Sequence, residues 1–281
     1  MMAGIWEKLI AGRWIAGPSI SDAIERSKIF NMRNIATILN YLGESYTERQ
    51  KVSNAVAVYL KLIDAIKLGK VNASISLKPT QLGLSISYGL FESNYARILS
   101  KAASSGIFTW LDMEEHVYID DTIKAYMRHI STSSGICIQA NMKRSAEDVR
   151  NILERKGIIR LVKGAYTGSK EIQYQSKSEV DNNFIKLMKY IFLNSRTFMV
   201  ATHDTRMIEL GIKLNKKYKR NVTFAMLNGI RNRLALELAQ KESVAMYVPF
   251  GKEWVAYSYR RLREAGHVKI ILRSLLEKQG I

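Results

Sequence analysis

Two adjacent arginines, Arg260 and Arg261, lie in the stretch EWVAYSYRRLRE (253–264), which is otherwise half aromatic and apolar. Like charges side by side repel unless something negative sits between them, so the pair asks for an anion. Upstream, polar residues recur where apolar runs end. Lys78 follows SISL, Asp112 and Glu114 close FTWLDME, and Gln139 and Asn141 close ICIQAN. Arg160 and Lys163 sit in IRLVKG, Thr202 and His203 in VATHD, and Tyr247 in SVAMYVPFG. Any one strand leaving a core commonly ends in a polar residue. Several strands bringing lysine, aspartate, glutamine, arginine, histidine and tyrosine together would make a basic rim with one carboxylate. That rim suits an electron-poor ring carrying phosphates: positive charge at the N1 and N5 edge of a flavin stabilises its anionic reduced form and favours hydride acceptance.

Other chemistries lack their residues. GAYTGSK (164–170) has Gly164 and Gly168 but not the Walker spacing, and no G-x-G-x-x-G follows an apolar run. His116, His129, His203 and His267 show no H-E-x-x-H or paired-ligand spacing, so no metal site is expected. No serine nucleophile elbow is present, which argues against triad hydrolysis.

To bring those strand ends together the chain needs a particular architecture. Eight short apolar runs, at 34–43, 71–79, 107–114, 135–141, 158–166, 197–204, 222–227 and 243–251, alternate with segments of helical periodicity such as 47–70 and 205–219. Near-continuously apolar strands imply a parallel sheet covered by helices, and eight strand-then-helix units favour a (βα)8 barrel over an open sheet. No Pro-, Gly- or Ser-rich linker interrupts the chain, so the reading is one domain over 1–281 with an N-terminal helical arm.

The chain has 281 residues, 47% of them hydrophobic and 24% charged, enough to bury a substantial core. Its single cysteine, Cys137, excludes a disulfide framework and fits a reducing, cytoplasmic compartment. Glu7, Lys8 and Arg13 break up the N-terminal apolar stretch, so neither a secretory signal nor a transmembrane helix is expected. The net charge of +18 would suit nucleic acid, an anionic membrane or acidic small molecules. Against nucleic acid, the positive residues are spread over many helices, with no helix-turn-helix, zinc-finger or RNA-binding aromatic signature. Two end segments carry basic amphipathic stripes: Trp6, Leu9, Ile10 and Trp14 in the first, Val268, Ile271, Leu272 and Leu275 in the second. Packing on the barrel or peripheral contact with a membrane surface would each account for them.

The motifs AGPSISDAIERS, YLGE, SISLKP, WLDMEE, IQAN, IRLVKGAY, VATHD, MLNG, YVPFG and YRRLRE, in this order over nearly the whole chain, resemble the proline dehydrogenase family. The resemblance implies a distorted (βα)8 barrel that binds FAD, with a last helix over its mouth. It implies oxidation of L-proline to pyrroline-5-carboxylate by hydride transfer to flavin N5, and reoxidation by a quinone or similar acceptor. It points to the monofunctional form, without an aldehyde dehydrogenase module.

By the same resemblance Arg260 and Arg261 hold the substrate carboxylate, and Glu44 pairs with Arg260. Lys78 and Asp112 match an active-site lysine and aspartate, Tyr247 a substrate-contacting tyrosine, and Leu227 an apolar wall beside the proline ring. Met113, Gln139, Arg160, Lys163, Gly164, Ala165, Thr202 and His203 match flavin-binding positions, with Arg160 near N5. Asn40, where an aspartate is usual, and Thr167, Thr223 and Ala225 depart from the family pattern, so the resemblance assigns no flavin contact to the last three. A barrel oxidoreductase for another amino or hydroxy acid is the alternative reading, and a basic nucleic-acid binder the alternative of a different class.

Overall fold

The apolar runs become strands and the amphipathic segments become helices. The computed structural model describes residues 14–254. In chain order these are α1 (Ile20–Asn31), β1 (Ile35–Tyr41), α2 (Arg49–Gly69), β2 (Ala73–Leu77), α3 (Tyr88–Ser104) and β3 (Thr109–Leu111). There follow α4 (Ile119–Arg128), β4 (Ser134–Gln139), α5 (Ser145–Glu154), β5 (Ile158–Val162), α6 (Lys177–Asn194) and β6 (Thr197–Ala201). The last are α7 (Thr205–Tyr218), β7 (Asn221–Leu227), α8 (Asn232–Leu238) and β8 (Ser243–Phe250). All eight strands pair in parallel in chain order and β8 returns to β1, giving a closed barrel. The expected (βα)8 architecture is therefore observed. The helix expected over the mouth falls outside the described residues, as does most of the N-terminal arm.

Two apolar layers hold the barrel together. One lies between strands and helices, where α2 contributes Val56, Tyr59, Leu62, Ile63 and Ile66 and α6 contributes Phe184, Leu187, Met188, Ile191 and Phe192. The other fills the barrel itself, with Ile38, Trp110, Ala225 and Ala245 at its centre. Alanines on β7 and β8 and glycine at 135 on β4 make room for the indole of Trp110, which one small ring of strands could not otherwise hold.

Local chemistry sets the boundaries. Ser19 and Asp22 form a capping box at the start of α1, and Ser176 and Glu179 another at the start of α6. Asp204 caps α7, accepting from the Arg206 amide. α2 and α7 each stop at a lysine in the left-handed region, Lys70 and Lys219. The third strand is shorter than the apolar run 107–114, because only Thr109–Leu111 finds strand partners on both sides. Trp14, the one residue of the first end stripe within the described chain, is buried against Ile15, Leu42 and Ile230. Among the described residues no helix is long and apolar enough to cross a membrane.

Candidate active site

Pairing aligns the strands so that polar side chains from five of them meet inside the barrel near its carboxyl end. Asp112 leaves β3 with its amide bonded to the Leu77 carbonyl at 2.8 Å, which anchors it beside β2. Its carboxylate then accepts from three directions. Ser76 Oγ donates to Oδ1 at 2.8 Å, Tyr247 OH donates to Oδ2 at 2.9 Å, and Arg160 Nη2 forms an ion pair with Oδ1. Ser76 also accepts from Arg160 Nη2 at 3.0 Å.

Arg160 is 3% exposed and is anchored through Nε and Nη2. Its Nε donates to Cys137 Sγ at 2.8 Å, across the β4–β5 register in which Cys137 faces Arg160. Its guanidinium carbon lies 5.1 Å from the Trp110 ring centre and 5.5 Å from that of Tyr247, positions of cation–π attraction. Burial pushes the Cys137 thiol up to about 11, so it stands here as a neutral S–H. Arg160 Nη1 finds no acceptor among the described residues although it is buried.

Around this centre lies a second ring of charge. Lys78 Nζ is 3.5 Å from Glu44, which also accepts from Tyr166 OH at 3.3 Å. Burial works against the charge on Lys78, but Tyr166, Glu114, Tyr247 and Asp112 together hold its pKa well above the usual lysine range. Glu114 accepts from the Thr80 amide at 2.8 Å and hydroxyl at 2.9 Å, and its carbonyl accepts from Gln139 Nε2 at 2.9 Å.

Farther round the same rim Lys163 lies 2.6 Å from Asp181 and 3.1 Å from Asp204. Gly164 follows at φ +107, a conformation that glycine adopts without strain, and a Cβ there would fall 2.1 Å from Asn141 Oδ1. Thr202 Oγ1 accepts from the Asp204 amide at 3.1 Å, and His203 Nε2 accepts from the Leu227 amide at 3.2 Å. Arg231, in the left-handed region at φ 53, donates to the His203 carbonyl and so ties the loops after β6 and β7 together.

The structure thus brings Lys78, Asp112, Gln139, Arg160, Lys163, Thr202, His203, Leu227 and Tyr247 to one end of the barrel. Gly164 and Ala165 are exposed on the loop after β5, and Met113 is buried behind Asp112. Arg260 and Arg261 lie outside the described residues, so the pairing of Glu44 with Arg260 falls outside them too. Of the departures, Asn40 is structural, its amide bonded to the Ser76 carbonyl at 2.9 Å, and Ala225 is packed in the barrel interior. Sequence reasoning missed Ser76, Cys137 and Trp110, which build the nest for Arg160. The signal was the two-residue strand period: Trp110 precedes Asp112, Ser76 precedes Lys78 and Cys137 precedes Gln139, each on the same face.

The donor set fits a flavin. A buried guanidinium with one nitrogen unpartnered among the described residues, and a buried Asn141 Oδ1 likewise without a donor, leave polar atoms to be satisfied near the carboxyl end of the barrel, and Gly164 lets backbone approach closely. No group of three or more His, Cys, Asp or Glu among the described residues could hold a metal ion.

Comparison with known proteins identifies the family. Residues 23–273 match the family model for proline dehydrogenase. Proline dehydrogenase 1 of Bacillus subtilis (strain 168) is 34% identical over 280 residues, covering 96% of this chain and 92% of that protein. The proline dehydrogenase of Deinococcus radiodurans is 31% identical over 266 residues, 91% of this chain and 86% of that one. Among solved structures, proline utilization A from Bdellovibrio bacteriovorus, inactivated by N-propargylglycine, shares the fold with a TM-score of 0.85 at 22% identity. That match covers 93% of this chain and 33% of the other, so this chain spans about a third of its length.

Proposed function

This chain belongs to the proline dehydrogenase family, oxidoreductases acting on proline, and from that we propose that it oxidises L-proline to pyrroline-5-carboxylate at its barrel mouth with FAD as cofactor. The observation that carries the reading is the buried cluster of Asp112, Arg160 and Tyr247 at the carboxyl end of a closed barrel. FAD, when bound, would supply the hydride acceptor at N5. In proline the C–H bond next to nitrogen breaks with its electron pair, the nitrogen lone pair forms the C=N bond, and the nitrogen's proton is released.

The chain's own residues position and polarise. Asp112 already accepts from Ser76, Arg160 and Tyr247, so it orients a cation and a phenol rather than standing free as a base. Arg160, with Nη1 available, would hold positive charge against the N5 edge, while Gln139, Lys163, Gly164, Ala165, Thr202, His203 and Met113 would line the rest of the cofactor site. Leu227 and Tyr247 wall the proline ring. Lys78 stays cationic and, with Arg260 and Arg261, would hold the substrate carboxylate by charge-assisted bonds. Positive charge this close lowers the pKa of the substrate amine, which must be neutral when hydride leaves. A quinone or similar molecule takes the electrons onward, and the +18 charge supports peripheral contact with an anionic membrane surface.

The purified protein should be yellow, and anaerobic L-proline should bleach it. Colourless protein, or a flavin that another amino acid reduces and proline does not, would overturn the reading.

A further inference from the structure

Arg160 is a buried cation whose orientation no single bond could fix. A guanidinium carries five N–H donors in one plane, and two anchors on different nitrogens are needed to set how that plane is turned. Nη2 has its anchor in Ser76 and Asp112. Nε has Cys137 Sγ at 2.8 Å, its one acceptor among the described residues. The same sulfur lies 3.8 Å from Asp112 Oδ1, within reach of a weak S–H donation, so the thiol bridges both members of the ion pair. Cys137 reaches this place by register, since it stands opposite Arg160 where β4 pairs with β5. With an apolar residue at 137, Nε would be left buried and unpaired, a cost that turning the guanidinium would relieve.

We propose that Cys137 is a positioning residue: by accepting from Arg160 Nε and donating to Asp112, it sets the turn of the guanidinium and with it the direction in which Nη1 presents its charge to the cofactor. Burial holds the thiol neutral, which leaves its proton for Asp112 and its sulfur lone pair for Arg160. The role rests on the flavin reading above. It concerns the cofactor's potential and the rate of hydride transfer; the grip on proline belongs to Lys78 and the paired arginines.

The test compares Cys137→Ala with Cys137→Ser, which differ only in an atom able to accept from Nε. In C137A the midpoint potential of the bound flavin should fall, because less positive charge is directed at its N5 edge, and kcat should drop roughly tenfold, as for one lost buried hydrogen bond. KM for proline should stay within about twofold, since no substrate contact is removed. C137S should restore the potential and most of kcat. If alanine at 137 prevents folding, Cys137→Val and Cys137→Thr give the same comparison with a larger, matched pair. A C137A enzyme with unchanged potential and kcat, or a serine variant that falls as far as the alanine one, would overturn the role. A wild-type protein that takes up no flavin would instead defeat the functional reading itself, and the role with it.

Discussion

Glu114 is buried behind the site, and its burden is desolvation. Burial pushes its carboxyl pKa up, while Lys78 and the two bonds from Thr80 pull it only part of the way back. Its folded pKa therefore lies above the ordinary value of 4.5. Between those two values the folded state binds more proton than the unfolded one, so stability falls as pH rises through that window. Lys78 titrates far from it, since its pKa is raised above 10.5 and its contribution is lost only as alkaline pH passes that raised value. Glu114→Gln should therefore flatten the mildly acidic part of the stability profile and leave the alkaline part alone. Thermal midpoints of both proteins from about pH 4 to 8 check this; parallel curves would mean that Glu114 ionises alike folded and unfolded.

Strands β3 and β4, already paired in register, are also fitted to each other by one side-chain contact. A Cβ at Gly135 would come within 2.4 Å of the Trp110 ring, and Trp110 in turn lies under Arg160. Gly135→Ala should cost about 1–3 kcal/mol through overpacking, which lowers the melting midpoint by roughly 2–10 °C. Because the displaced indole is a support of Arg160, flavin content should fall with it, while a helix-surface alanine substitution should change neither. Calorimetry and the flavin-to-protein ratio read the two effects separately. An unchanged midpoint would show that the barrel interior has slack at this layer.

Charge is distributed unevenly over the molecule. Turns that follow the helices and precede the next strands gather at the end of the barrel opposite the site. There Lys70, Lys156, Arg196, Lys216, Lys217 and Lys219 are exposed and make no ion pair among the described residues. Leu68, Met32 and Leu193 stand among them, 87%, 76% and 56% exposed. Lysines at helix ends offset the helix dipole, which explains part of the pattern; so many without carboxylates also form a surface attractive to anionic lipid. The protein should sediment with anionic liposomes at low salt and be released near 0.5 M, where screening shortens the reach of charge to roughly 4–5 Å. Reversing Lys216, Lys217 and Lys219 to glutamate should weaken the binding without changing proline-dependent reduction. Indifference to such liposomes at low ionic strength would remove membrane contact from the proposal.

The barrel was legible because its evidence is local. Eight apolar runs of strand length, separated by helical periodicity, leave few ways to bury both strand faces, and each of the eight lies within a few residues of its observed strand. Motif order likewise marked Lys78, Asp112, Arg160 and Tyr247, whose residue types stand out from apolar surroundings. Ser76, Cys137 and Trp110 did not stand out: a serine, a thiol and an indole inside an apolar run read as ordinary strand filling. Their meaning depends on which residues face them across the barrel, 48 positions apart for Asp112 with Arg160 and 135 for Asp112 with Tyr247. Pairing register and barrel closure set those distances, and both are properties of all eight strands together. Composition and pattern could therefore name the charged groups and the sheet that carries them, whereas the turn of a guanidinium is settled only when the neighbouring strands lock side by side.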